Sequence, residues 1–287
     1  MKRSKNGFAV FNESRLCRAS GPAAHASWVH ASTSPSATPW SALCRDSGTL
    51  GRGDIFWQQI DALKDRARIV AVTYPATGGV AEWADDLALL MDQRGIEKAT
   101  VLGSSLGGYL VQYFAAKHPE KVVRLLPANT LVTTEASRSR PPYTSDLDAA
   151  PIAELRKGFA MGLGAWREAH PDQAELVELL LAEVGGRIPE AELRSRLNGL
   201  KKAPPLPDLD FPKDRIATIE GDDDPLISKE MREEARALLQ PGTSYRFAWG
   251  GHFPYVVRPA DYVTLLETEL GLALTGEGWG EGAVRTK

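Results

Sequence analysis

Between residues 68 and 126 apolar runs alternate with helical stripes, and this rhythm restricts the chain more than any single motif does. Arg68-Ile69-Val70-Ala71-Val72-Thr73-Tyr74 is rich in β-branched residues and is stopped by Pro75, which reads as a buried strand. Val80, Trp83, Ala84, Leu87, Leu90 and Met91 then recur at i, i+3, i+4, i+7, i+10 and i+11, one face of a helix ending at Gly95. Residues 99–102 predict the next strand. Leu106, Leu110, Tyr113 and Phe114 predict another helical face, ended by His118-Pro119, and residues 122–126 a further strand. Strands apolar on both faces cannot leave either one in water, so the fold class is α/β, a mostly parallel sheet with helices on both sides.

From residue 135 to 207 the rhythm stops. Prolines bracket a stretch with three helical stripes and no strand: Ile152, Leu155, Phe159 and Leu163; Leu176, Leu180 and Val184; Leu193, Leu197 and Leu200. This reads as an inserted helical cap. Strand and helix patterns resume with residues 216–219, 228–239, 245–248 and 259–270, the last opening on Pro259. The expected division is a core of residues 48–134 and 208–272, a cap of 135–207 and a flexible Gly-rich tail of 273–287. A leader of residues 1–47 precedes them. The first 48 residues hold nine of the seventeen serines and both cysteines but two of the thirty-seven acids. Apart from Phe8-Ala9-Val10-Phe11 they contain nothing strand-like, and low order is expected.

Charge and composition exclude several classes of function. The formal net charge is −3 with acids and bases interleaved, so no footprint for nucleic acid or an anionic membrane stands out, and a small neutral substrate fits better. No apolar run approaches the roughly 18 residues of a membrane span, and the basic start is followed by no signal-peptide core. The cytoplasm is the expected location. Cys17 and Cys44 make no disulfide framework, and no His or Cys stand at metal-ligand spacing. No metal or cofactor is expected.

Against this frame Gly103-Ser104-Ser105-Leu106-Gly107 falls between a predicted strand and a predicted helix. By chance a G-x-S-x-G is expected roughly 0.14 times in such a chain, and the strand-to-helix context is what gives the motif meaning. A sharp turn there pushes Ser105 out at the carboxyl edge of the sheet, and the helix beginning at Leu106 aims its amides, about half a positive charge, at the same place. A plain serine N-cap is the competing reading. A hydroxyl needs a base, and five histidines are available. His25 and His30 lie in the leader, and His118 and His170 each precede a proline, which suits surface or capping roles. His252, in Gly250-Gly251-His252-Phe253-Pro254, follows the last strand of the core, where α/β sheets present functional groups. The imidazole in turn needs a carboxylate, and Gly221-Asp222-Asp223-Asp224-Pro225 follows the strand before it. One or two of those aspartates could simply serve the turn.

The order Ser105, aspartate, His252 matches the α/β-hydrolase arrangement, and the chain resembles that superfamily across residues 48–272. The resemblance implies a G-x-x-D acid, which selects Asp224. It also implies an oxyanion hole, with the Leu106 amide as one donor and Thr49 of Ser47-Gly48-Thr49-Leu50-Gly51 as the second. Ile55-Phe56-Trp57-Gln58-Gln59-Ile60, Gly103-Ser104-Ser105-Leu106-Gly107-Gly108-Tyr109-Leu110 and Gly250-Gly251-His252-Phe253-Pro254-Tyr255 look like the characteristic stretches of maspardin-like members. In animal maspardins asparagine stands where this chain has His252, and those proteins are regarded as binding or adaptor proteins. Histidine here favours an enzyme. Residues 40–46 do not read as the apolar strand the superfamily has there. The leader is therefore expected not to be its usual amino-terminal region, which translation of the encoding DNA in other frames would test.

The expected function is a serine hydrolase that cleaves a carboxylic ester or similar acyl substrate through Ser105, His252 and Asp224. Phe159, Met161, Leu163 and Trp166 of the cap suggest a pocket for a small hydrophobic acid or alcohol part, with plain cap core the more common role of such residues. The alternatives are a non-catalytic binding protein, or acyl transfer, haloperoxidase-type chemistry or carbon–carbon hydrolysis on the same residues.

Overall fold

The computed structural model describes residues 28–31, 49–50, 52–276 and 278–287, with backbone alone for 28–31 and Asp54. Its strands are β1 (Trp28–Ala31), β2 (Ile69–Val72), β3 (Ala99–Ser104), β4 (Val122–Ala128), β5 (Ala217–Gly221), β6 (Thr243–Phe247) and β7 (Ala283–Thr286). The helices are α1 (Trp57–Leu63), α2 (Val80–Gln93), α3 (Leu106–Lys117), α4 (Glu135–Arg138), α5 (Ile152–Ala169), α6 (Ala174–Ala182), α7 (Glu190–Lys201), α8 (Lys229–Leu239), α9 (Pro254–Val257) and α10 (Pro259–Glu269). Strands β3 to β7 form one sheet in chain order, parallel except for β7. β2 pairs antiparallel with β1 and, among the described residues, with no other strand.

Alternation along each strand sorts the core into two layers, as a two-sided sheet requires. Val101 and Leu125 face a cluster built on α2, α3 and α8, with Trp83, Leu87, Leu110, Phe114 and Met231. Leu102, Leu126, Ala217 and Ile219 face the opposite cluster of Phe56, Ile60, Tyr262 and Leu265 from α1, α10 and the turn before α1. A third, smaller cluster of Leu147, Leu155, Ile188, Leu193 and Leu197 holds α5 and α7 together. The parallel register aligns the strand ends: Ser104 lies beside Ala128, Ala128 beside Ile219, and Gly221 beside Phe247. Every segment that leaves those ends emerges on one rim.

Two expectations are corrected. The leader is not free of strand among its described residues, since Trp28–Ala31 pairs with β2 from Trp28↔Val72 to Ala31↔Ile69. Four residues whose partner lies some forty positions away carry too little local signal to be read. Phe8–Phe11, residues 40–46 and both cysteines lie outside the described residues. The tail is likewise not uniformly loose. Ala283–Thr286 adds to β6, and the Thr275 and Gly280 amides donate to the Glu267 and Asp261 carboxylates. Arg258 donates to the Glu281 carbonyl at 2.6 Å. Glycines 278 and 282, at φ +102° and +73°, supply the turns that bring the chain back. Boundaries also shift: β3 and β4 run two residues further than the apolar pattern, and Ser228 caps α8 instead of opening it, its Oγ accepting from the Met231 amide.

Candidate active site

Ser105 stands between β3 and α3 with φ 58° and ψ −119°, a conformation that a residue with a Cβ adopts only when its surroundings impose it. The surroundings are visible. The Ser105 amide donates to the Ala128 carbonyl at 2.9 Å, and its carbonyl accepts from the Tyr109 amide at 3.1 Å and from Thr130 Oγ1 at 2.6 Å. Close approach explains the flanking glycines. A Cβ on Gly103 would lie 2.0 Å from the Gly107 carbonyl oxygen, and one on Gly108 would lie 2.4 Å from Thr130 Cβ. The Leu106 amide opens α3 and belongs to the first turn, whose N–H groups have no partner within the helix.

The three aspartates after β5 divide their work. Asp222 accepts from Arg246 Nη2 on both oxygens, at 2.9 and 3.0 Å, and from Nε at 3.2 Å. Asp223 accepts the amides of Gly250 and Gly251 at 3.1 and 2.8 Å, clamping the glycine turn at φ 135° and 58°. Asp224 Oδ2 lies 2.8 Å from His252 Nδ1, with both residues buried. Its other oxygen accepts the Leu226 and Ile227 amides at 2.8 and 3.0 Å, and Asn129 Nδ2 donates to Oδ2 at 3.0 Å. Burial by itself raises the Asp224 carboxyl, but the His252 charge, the His252 hydrogen bond and the Asn129 and Ile227 donors outweigh it, and the pKa lies below the ordinary value. Asp224 is therefore a charged partner that fixes Nδ1 and leaves Nε2 as the free ring nitrogen.

Of the sequence-expected residues, Asp224 and His252 are in direct contact, and Ser105 is joined to them through consecutive residues after β4: Thr130 on its carbonyl, Asn129 on Asp224. Neither Asn129 nor Thr130 was singled out by sequence, whose only available signal was their place just past an apolar strand. Thr49 Oγ1 lies 3.5 Å from the Tyr143 hydroxyl, whose ionisation burial pushes up. The cap residues separate. Met161 is 67% exposed, while Phe159 and Leu163 pack into two different core clusters. Trp166 meets the histidine loop, close enough that a Cβ on Gly251 would sit 2.7 Å from its ring. His118 bonds Asp85 at the surface, and His170 lies against Trp166 at 4.6 Å. Among the described residues no group of His, Cys, Asp and Glu could hold a metal ion, and no helix is long and apolar enough to cross a membrane.

Residues 47–259 match the family described as "alpha/beta hydrolase fold". Among curated proteins, maspardin of Danio rerio is 24% identical over 229 residues, 77% of this chain and 71% of that protein. Among solved structures, a hydrolase from Pseudomonas aeruginosa superposes with a TM-score of 0.73 at 21% identity, covering 91% of this chain and all of that one. An esterase from Thermogutta terrifontis superposes with a TM-score of 0.67 at 19% identity, covering 89% and 97%.

Proposed function

Because the chain belongs to the α/β-hydrolase fold family, we propose that it is a serine hydrolase that cleaves a carboxylic ester or similar small acyl substrate through an acyl-enzyme intermediate. Ser105 is the nucleophile, His252 the base and Asp224 its carboxylate partner. The observation that carries the reading is the buried Asp224–His252 pair at 2.8 Å, on the same rim as a serine held at φ 58°. An ionised carboxylate on Nδ1 costs burial energy and brings little unless the imidazole takes up a proton, which is what a base beside a hydroxyl does.

The steps follow from those roles. His252 Nε2 takes the Ser105 proton as Oγ attacks the acyl carbon, and the C–O double bond opens to an oxyanion. The Leu106 amide and a second donor at Thr49 receive that charge, each such donor contributing about 10²- to 10³-fold in rate. The imidazolium then protonates the departing alcohol as its bond to the acyl carbon breaks. Water enters, loses a proton to Nε2 and attacks the acyl-serine, and the proton returns to Ser105 as the carboxylic acid departs. Asp224 stabilises the imidazolium in both halves. Trp166, over Gly251, bounds the acyl or alcohol pocket on the cap side.

A panel of p-nitrophenyl esters of rising acyl length tests this. The expected result is turnover that Ser105→Ala abolishes, falling off beyond a chain length set by the cap. No hydrolysis above background for any ester, with the protein folded, would overturn the reading in favour of a binding role.

A further inference from the structure

Asn129 is 1% exposed, follows β4 directly and holds φ +41°, a backbone that favours glycine. Its own amide donates to the Ile219 carbonyl of β5 at 2.8 Å, which anchors the residue across the sheet end. Its side-chain Nδ2 meets two groups that can only accept, the Asp224 carboxylate at 3.0 Å and the Gly251 carbonyl at 3.3 Å, so the amide orientation is set by chemistry. Oδ1 is buried with no partner among the described residues, leaving those two bonds to hold the side chain. The next residue, Thr130, holds the Ser105 carbonyl at 2.6 Å. One dipeptide is thus bonded to the serine turn, to the acid and to the residue before the histidine.

We infer that Asn129 is a positioning residue for the reaction: its amide fixes the Asp224 carboxylate and the backbone of the His252 loop relative to each other, and Thr130 ties that pair to the Ser105 turn. Three acceptors on the ends of β3, β5 and β6, the Ser105 carbonyl, the Asp224 carboxylate and the Gly251 carbonyl, would otherwise have to find this arrangement separately. The cost is an asparagine held in left-handed backbone at φ +41°. The side-chain hydrogen bonds of Asn129 run to Asp224 and Gly251, so it acts on the reacting groups through Asp224. The titratable and charged groups around that carboxylate are His252, Asp222 and Asp223 of its own loop, and Arg232 of α8, whose guanidinium is bonded to the Ile227 and Asp222 carbonyls. Asn129 is a neutral side-chain donor to the oxygen that also faces His252, while the Leu226 and Ile227 amides serve the other oxygen.

The kinetic consequence rests on the hydrolase reading, whereas the positioning itself does not. The decisive experiment is therefore made without turnover: the carboxyl ¹³C titration of Asp224 in protein carrying Ser105→Ala, with and without Asn129→Gly. Glycine accepts φ +41° and removes only the side chain, so backbone strain is not the variable. Loss of one donor from a charged acceptor should move the Asp224 titration up by about one pH unit. Asn129→Asp, placing a second carboxylate about 3 Å away, should move it further in the same direction. With Ser105 restored, kcat of Asn129→Gly should fall about 10- to 100-fold with KM little changed. An Asp224 titration that stays put in both variants overturns the inference, whatever the activity. A shifted titration in a protein that hydrolyses no ester upholds it and sinks the esterase reading alone.

Discussion

Gly103→Ala is the sharpest perturbation of the serine turn, because the added methyl group meets only backbone. Its Cβ would lie 2.0 Å from the Gly107 oxygen, 2.3 Å from the Gly107 carbonyl carbon and 2.8 Å from the Gly108 nitrogen. Ordinary contact begins at 3.4 Å, so the end of β3 and the first turn of α3 must part by about 1.4 Å or the turn must refold. Overpacking costs about 1–3 kcal/mol, and with no flexible side chain to give way the upper end applies. The same displacement carries Ser105 off line, and a misplacement of about 1 Å costs on the order of 10²-fold in rate. Urea unfolding and ester hydrolysis read the two effects separately. Gly162→Ala, in α5 with nothing within 4 Å of its Cβ, is the control. It should stabilise the protein by up to about 1 kcal/mol and leave activity alone. A Gly103→Ala protein within about twofold of wild-type activity and about 0.5 kcal/mol of its stability would refute the close-approach argument.

Other outcomes follow from the same contacts. Asp224→Asn should keep the fold and lower kcat by about 10³- to 10⁴-fold, because the amide stabilises the wrong histidine tautomer; steady-state kinetics check it. Since the folded pKa of Asp224 is depressed, its ionised form contributes stability that is fully present above the ordinary carboxylate value of about 4 and is lost as pH falls through the lower folded value. Denaturation at a series of pH values should accordingly show the stability gap between wild type and Asp224→Asn closing below about pH 4; a gap constant down to about pH 2 contradicts it. Thr130→Val removes the hydroxyl that holds the Ser105 carbonyl at 2.6 Å and should cost about 1 kcal/mol in stability and more than that in the activation barrier. Deleting residues 273–287 strips β7 from β6 and the bonds to Glu267 and Arg258; a stability loss of about 1–3 kcal/mol is expected in urea unfolding.

The strand–helix rhythm was legible because each element carries its pattern within a dozen residues: Val80 to Met91 show one face of α2, and that face is buried. The Asp224–His252 contact was legible for a different reason. His252 and the aspartates each follow an apolar strand, and parallel strands put all such ends on one rim. Choosing among Asp222, Asp223 and Asp224 needed the resemblance, since all three are acids after a glycine and only the third dimension separates Arg246, the glycine amides and His252 as their partners. β1, β7 and Asn129 were invisible for a shared cause. Each depends on hydrogen bonds to residues far along the chain, Trp28 to Val72, Ala283 to Phe247 and Asn129 to Asp224, and no local periodicity encodes them. The cap stripe allowed both a pocket wall and plain cap core, and the fold divides it: Phe159 and Leu163 pack into core clusters, while the eighteen-residue helix turns Met161 to solvent and Trp166 toward Gly251.

Convergence of Ser105, His252 and Asp224 into one reacting group is most directly tested by the rate at which a fluorophosphonate forms an adduct, followed by intact mass and peptide mapping. The account predicts one adduct per chain, at Ser105, absent in Ser105→Ala and slowed at least about 10²-fold in His252→Ala. A folded protein that stays unlabelled, or one whose labelling rate is indifferent to His252, would contradict it.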